Sequence, residues 1–279
     1  MNDIQAQENT ALTLPAGTIE VLPPTLNLPI IASREDILEA IKANTADGEK
    51  LRFDRIKVPG AGGLAFTVID ENNKETAISS FRGVILGFQP YCIWYLKRYN
   101  EKEEDEEAVF CFSGDRVNGS GCPEGNISAD QSCADCKFKQ WGSDRDGGDG
   151  TDCHDRCAIW IAKENEAMPI LIDLPRTSLG NFRDYRQFLT KKIGQPLYGV
   201  VTEISLESVQ GKKSKYSSVK FTRGANLTPQ EKAIMREMIN DLNKDMVVDY
   251  TTMKQLAEAT KDEEFEKAAD NLTKDQQPY

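Results

Sequence analysis

Six of the chain's seven cysteines fall between positions 111 and 157. One pair, Cys133 and Cys136, has the Cys-x-x-Cys spacing at which a short turn presents two thiolates to a single ion. A tetrahedral structural zinc needs two more ligands, and Cys111, Cys122, Cys153, Cys157 and His154 are the candidates, more than one site requires. The connecting stretches, such as Gly142-Ser143-Asp144-Arg145-Asp146-Gly147-Gly148, lack the apolar residues to build a core of their own. A metal would supply that stability, on the order of 10 kcal/mol, because in small zinc modules binding free energy becomes folding free energy. Thiolate count alone does not choose the metal, so an iron–sulfur centre is the competing occupant. Asp144, Asp146, Asp149 and Asp152 miss the EF-hand spacing and read as a solvated loop rather than a calcium site. A catalytic zinc would keep an open position and usually employ His, whereas this chain has a single His154 in a Cys-His-Asp-Arg-Cys turn. With no Gly-x-Ser-x-Gly, Walker or His-Glu-x-x-His motif, the expectation is a protein that is not an enzyme.

The compartment decides how clustered cysteines are read. No apolar run approaches the roughly 20 residues that cross a bilayer, and the N-terminal stretch lacks the basic start and apolar segment of a secretion signal. A cytoplasmic, reducing location is therefore expected, with no membrane partner, and there thiols favour metal over disulfides.

Charge is segregated along the chain. The net −11 divides into −5 over residues 1–50, +3 over 51–99, −11 over 100–173, +7 over 174–223 and −5 over 224–279. Two basic segments within an acidic chain suit a protein that meets nucleic acid through one face. Single strands bind where cations track phosphates and aromatic rings stack on bases. The first segment offers Arg52, Arg55 and Lys57, then Tyr91, Trp94, Tyr95, Lys97 and Arg98. The second offers Arg183, Arg186, Lys191 and Lys192 on an expected helix, then Lys212, Lys213, Lys215 and Tyr216 at an expected hairpin tip.

Several elements must position these groups. Residues 1–30 are polar and dotted with proline, reading as an extended arm. Ser33 and Asp36 suggest a capping box before a helix with an Ile37, Leu38 and Ile41 stripe. Strand-like runs follow at Leu51–Val58, Leu64–Asp70 and Arg82–Gly87, read as a meander, and the segment Tyr91–Tyr99 after Pro90 reads as helical. The acidic run Glu101–Glu107 precedes the cysteine-rich insert. Strands are expected again at Ala158–Ala162, Pro169–Leu174, Tyr198–Leu206 and Tyr216–Thr222, with a basic helix near Ser178–Ile193. Thr228-Pro229-Gln230-Glu231 is a strong helix start, and a second short helix is expected around Thr252–Glu258 before an acidic tail. Such a tail should be disordered when free.

From Cys111 onward the chain resembles a group of largely uncharacterised proteins encoded by phages, plasmids and integrative elements. The residues that carry the resemblance are Cys133-Ala134-Asp135-Cys136, Gln140-Trp141-Gly142-Ser143, Cys153, Leu174-Pro175-Arg176-Thr177-Ser178 and Tyr198-Gly199-Val200-Val201-Thr202. Phe53-Asp54-Arg55-Ile56-Lys57-Val58-Pro59 and Gly83-Val84-Ile85-Leu86 extend it, so that it covers about residues 51–223. The chain departs from that pattern at Arg176, where proline is usual, and in its additional cysteines. The resemblance implies Cys111, Cys133, Cys136 and Cys153 as the metal ligands, ahead of Cys122, Cys157 and His154. Its plan, a zinc module beside β-strands, is similar to the zinc-containing OB-fold single-strand-binding proteins of T-even phages, although the ligand order differs. The acidic tail, ending Asp275-Gln276-Gln277-Pro278-Tyr279, resembles those with which single-stranded-DNA-binding proteins recruit replication and recombination partners, with Tyr in place of Phe.

The expected fold is α+β. An N-terminal arm and helix (1–48) precedes an OB-like β-barrel core (49–223) with a zinc insert at about 101–157, and C-terminal helices and the flexible tail occupy 224–279. The expected function is non-sequence-specific binding of single-stranded DNA in the host cytoplasm, with a structural Zn2+. The alternative is a zinc-scaffolded protein-interaction module that inhibits or recruits a host factor.

Overall fold

The computed structural model describes residues 28, 33–46, 49–69, 74–95, 110–120, 132–145, 150–211 and 214–249. Nine strands are present among them: β1 (Arg55–Ile56), β2 (Phe66–Ile69), β3 (Glu75–Ile78), β4 (Ser80–Tyr95), β5 (Phe110–Ser113), β6 (His154–Lys163), β7 (Ile170–Leu174), β8 (Val200–Gln210) and β9 (Lys215–Asn226). Three helices accompany them: α1 (Arg34–Asn44), α2 (Arg176–Phe188) and α3 (Pro229–Leu242). Seven strands form one curled mixed sheet in the order β1-β7-β6-β4-β8-β9, with β5 paired to β4, and β2 and β3 form a separate hairpin. The architecture is thus α+β with a half-barrel sheet.

Two sequence expectations are corrected. The first three expected strands do not form a meander: β1 pairs in parallel with β7, which is far away in sequence, while β2 turns back on β3. The segment after Pro90 is not helical; it continues β4, a single strand of 16 residues. Tyr91, Ile93, Trp94 and Tyr95 are β-branched or aromatic and fit a pleated surface better than a helix. Proline is tolerated because it falls between the stretch paired with β8 (Ser80–Gly83) and the stretch paired with β5 (Cys92–Tyr95), where one side of β4 has no strand neighbour among the described residues.

A register shift in β4 between Ile85 and Gly87 changes which residues share a face. Before it, Ile85 faces the main core with Ile159, Ile161, Ile172 and Leu174, while Val84 and Leu86 face a second cluster beneath α1 and α3. After it, Phe88 joins the main core, and Tyr91 and Ile93 face a third cluster with Phe112 and Trp160. The extra residue of a bulge inverts the two-residue alternation, so Cys92 and Trp94 turn to the Phe88 side.

Helix α2 buries Ser178, Phe182 and Tyr185, and Leu189 just beyond its end extends the same stripe. Its first turns seal part of the edge strand β9: Val219 N–H donates to Ser178 Oγ at 2.9 Å, and Asn181 Nδ2 donates to Val219 O at 3.0 Å. Helix α3 begins as expected, with Glu231 N–H donating to Thr228 Oγ1 and Thr228 N–H donating to the Glu231 carboxylate. Ser33 is the N-cap of α1 but makes no side-chain capping bond; an ion pair of Arg34 with Asp241, at 2.5 Å, ties α1 to α3 instead. No helix among the described residues is long and apolar enough to cross a membrane. The expected arm before residue 28, the acidic run 101–107, the helix near 252–258 and the tail lie outside the described residues.

Candidate functional site

At the end of the sheet where β4 meets β5 and β6, one face carries two rows of side chains. The β4–β5 register sets Trp94 opposite Cys111 and Cys92 opposite Ser113, and the β4–β6 register sets Cys92 opposite Asp155. The Cys133–Cys136 turn and the single 3-10 turn Lys137–Lys139 close over this face. Together they enclose a cavity of about 20 Å³ lined by Cys92, Cys111, Cys133, Cys136 and Cys153 with Trp94, Phe138 and Lys139. That volume suits one small ion or one water.

The framework around the cavity is tightly bonded. Cys153 N–H donates to Phe138 O at 2.8 Å and Cys133 N–H to Val117 O at 2.8 Å, which fixes both thiol-bearing segments by their backbones. Trp94 stacks on Phe138 with ring centroids 4.2 Å apart. Its indole N–H donates to buried Asp152 at 2.6 Å, and Asp152 in turn pairs with Arg145. Lys139 donates to the Cys92 sulfur and, at 3.0 Å, to Asp155, which also accepts from Arg116 at 2.8 Å. The Cys92 thiol donates to Asp155 at 3.2 Å; the neighbouring Cys153 thiol, helped by Lys139, holds Cys92 below the ordinary thiol range, and Cys153 is raised by Cys92 and by burial.

Among the described residues no three metal-binding side chains stand at coordinating geometry. The chemistry of the donor set nevertheless fits a thiophilic ion: five sulfurs around one small space, with cations at hand to offset the charge of a thiolate complex. Cys111, Cys133, Cys136 and Cys153, singled out from the sequence, all reach this cavity; Cys92, which the sequence reading passed over, reaches it as well. No spacing rule would have found Cys92, because the next cysteine is 19 positions away and only sheet pairing joins them.

Two candidate ligands fall elsewhere. Four residues along β6 from Cys153 is about 13 Å, and Cys157 there belongs to the main core with Ile159 and Leu174. His154 alternates to the other face of the strand and is exposed. Cys122 lies outside the described residues. Burial pushes the Cys157 thiol up to about 12. It is therefore expected to resist iodoacetamide in the native protein near neutral pH and to react only on unfolding, which peptide mass mapping would show.

The nucleic-acid candidates are redistributed. Tyr91 is 1% exposed and donates through its hydroxyl to Asp173 at 2.7 Å, and Trp94 is 3% exposed. Neither ring can receive a base; both pack the sheet. Tyr95 is half-buried beside the Tyr91 cluster. Arg55 and Lys57 are engaged within the protein, with Asp173 at 3.7 Å and Glu75 at 3.5 Å, because β1 runs beside β7 and the β2–β3 hairpin. Arg186 packs its guanidinium on the rings of Phe88 and Phe182, 4.3 and 5.0 Å from their centroids. Arg52, Arg183, Lys191, Lys192 and Lys215 are exposed, and Tyr216 is half-buried. Lys97, Arg98, Lys212 and Lys213 lie outside the described residues.

A different surface carries aromatic and basic groups together. Between α2 and the open half of β9 runs a groove of about 660 Å³ lined by Tyr185, Phe188, Phe221, Lys220 and Arg223, with Asp184 and Glu207 also on its walls. Phe188 is 44% exposed there. Its signal in the sequence was an apolar residue adjoining Lys191 and Lys192 on the basic helix. On the cysteine module, Trp141 is 72% exposed, with the Arg176 guanidinium 5.5 Å from its ring centroid. Compared with protein families, with curated proteins and with solved structures, the chain finds no match.

Proposed function

We propose that this protein binds single-stranded DNA without sequence preference, as the product of a phage or mobile element, and uses a structural zinc to hold its cysteine module. In this reading the curled sheet is an OB-like core and the cysteine module its zinc insert. Cys111, Cys133, Cys136 and Cys153 are the thiols that the resemblance nominates to hold the ion. Zinc supplies cross-linking there, not catalysis. The protein works in the cytoplasm, and its tail recruits replication or recombination partners.

The observation that carries the reading is the α2–β9 groove. An exposed Phe188 ring and a half-buried Phe221 line it, with Lys220 and Arg223 on the strand wall and Arg183, Lys191 and Lys192 exposed along the helix and its extension. These are the two components of a single-strand site: a stacking platform worth about 1–3 kcal/mol per base, and cations that displace counterions from phosphate.

Fluorescence titration with labelled oligo(dT) tests it. Affinity is expected to fall steeply between low and high salt. Phe188→Ala is expected to weaken binding about tenfold, and Lys220→Glu with Arg223→Glu to weaken it further and flatten the salt dependence. No binding by the wild type, or binding indifferent to salt, would remove the proposal.

The interaction-module reading is favoured by one observation: Trp141, a large aromatic side chain on the cysteine module, is mostly exposed. Aromatic anchors of this kind dominate protein interfaces. The same titration separates the two, since a module that binds only protein leaves oligo(dT) unbound.

A further inference from the structure

We propose that Cys92 is a metal ligand, and that the four thiolates are Cys92, Cys133, Cys136 and Cys153, with Cys111 left outside the coordination sphere. This rests on the zinc reading above and changes its ligand set.

The argument is one of strand geometry. Sulfurs that share a tetrahedral zinc, at Zn–S of about 2.3 Å, lie within about 4 Å of one another. Cys111 on β5 stands opposite Trp94 on β4. On the other side of β4, His154 stands opposite Ile93, so Cys153, one residue earlier, comes beside Trp94 from β6. Cys111 and Cys153 are thus two strand spacings apart, roughly 10 Å between backbones. Trp94 lies between them and packs against both. Cys92, on the middle strand and one pleat along, faces the same cavity as Cys153, from the strand that pairs directly with β6. Placement of the ligand set around Cys92 requires no displacement of Trp94, whose stacking on Phe138 and bond to Asp152 fix it.

Charge points the same way. A zinc held by four thiolates carries two excess negative charges, and buried negative charge needs compensation. Among the five thiols, Cys92 is the one to which Lys139 donates. Asp155 holds that lysine and Arg116 in place, at 3.0 and 2.8 Å. Hydrogen bonds from such outer groups orient and tune metal ligands. Cys92 is itself 2% exposed, and its thiol donates to Asp155 at 3.2 Å, a bond it gives up on binding an ion as thiolate while Lys139 and Arg116 keep that carboxylate paired.

Cobalt(II) titration of the full chain, followed by its thiolate charge-transfer and d–d absorption, tests the assignment. The triple variant Cys111→Ser, Cys122→Ser, Cys157→Ser retains only Cys92, Cys133, Cys136 and Cys153. It is expected to bind one cobalt with the wild-type four-thiolate spectrum, within about threefold of the wild-type affinity. Cys92→Ser is expected to lose the four-thiolate spectrum and bind at least about 100-fold more weakly, beyond the 10–100-fold typical of an outer-sphere change. Because the triple variant carries three substitutions, Cys111→Ser alone is measured beside it, with circular dichroism on each. A Cys92→Ser protein with the wild-type spectrum, or a folded Cys111→Ser protein that has lost it, overturns the assignment while leaving the zinc reading intact. A wild type that binds no cobalt overturns both.

Discussion

Exchange of Cys133 and Cys136 for serine is expected to strip the bound metal and melt the cysteine module while the rest of the sheet stays folded. Both thiols come from a turn whose local structure has little apolar support: the adjoining 3-10 turn buries none of its residues, and Ala134 and Asp135 are exposed. Among the described residues of the module, the sizeable apolar contact is Phe138 on Trp94. Without a cross-link, that contact must offset the ordering entropy of every residue in the turn, about 1–2 kcal/mol each for the backbone alone. The expected readouts are loss of close to one equivalent of zinc by elemental analysis, and rapid proteolysis between residues 113 and 153. Treatment of the wild type with a strong chelator should reproduce both. A double variant that resists protease as the wild type does would show that hydrogen bonds, not a metal, hold the module.

Asp173→Ala is expected to cost the fold about 1–3 kcal/mol, the range for leaving hydrogen-bonded polar partners unsatisfied, because the pair is half-buried, with Asp173 12% and Arg156 29% exposed. Asp173 accepts from Tyr91 at 2.7 Å and from Arg156 at 2.8 Å, and stands 3.7 Å from Arg55. Burial works against the Arg156 charge but the Asp173 carboxylate more than restores it, so the guanidinium stays charged and would be left without its counter-ion. Burial, and then the Asp173 charge, raise the Tyr91 hydroxyl well above its ordinary range, so it stays a neutral donor to the carboxylate. Urea denaturation should show the loss as a lower midpoint with an unchanged slope. The double variant Asp173→Leu with Arg156→Met should recover most of it, because apolar side chains of similar volume can replace a largely shielded pair at little cost. If the double variant is no better than the single one, the hydrogen bond to Tyr91 outweighs the charge pairing.

The network also accounts for where the structure places two of the nucleic-acid candidates. Arg55 and Tyr91 have the residue types of a phosphate clamp and a stacking ring, yet they are drawn to Asp173 from two different strands. A carboxylate on β7 is invisible to any window around residue 55 or 91. The same limit hid the α2–β9 groove, in which Phe188 of the helix and Phe221 of the strand are 33 positions apart.

Elements with local determinants were legible. The Thr228–Glu231 capping box is complete within four residues and forms as expected. Strands β6 to β9 fall where β-branched runs placed them, and the basic helix appears at Arg176–Phe188. The helix expected over Tyr91–Tyr99 was misread because proline at a first helical turn and proline at an unpaired stretch of strand present the same local sequence. The difference lies in the neighbours, β6 on one side and a gap between β8 and β5 on the other.

For the cysteine module, the sequence by itself determined that thiols at Cys-x-x-Cys spacing, with two more at longer range, could gather in a loop too polar to fold unaided. That inference needs only residue types and short distances along the chain. Tertiary structure alone decided which thiols meet. The irregularity between Ile85 and Gly87 inverts the facing of everything after it in β4, and so turns Cys92 and Trp94 toward the cavity and Tyr91 away. Side chains alternate every 3.3 Å or so along a strand, and a shift of one residue moves a whole set to the opposite face. A property that depends on a single inserted residue and on a strand partner 63 positions away, Asp155 opposite Cys92, has no local signature.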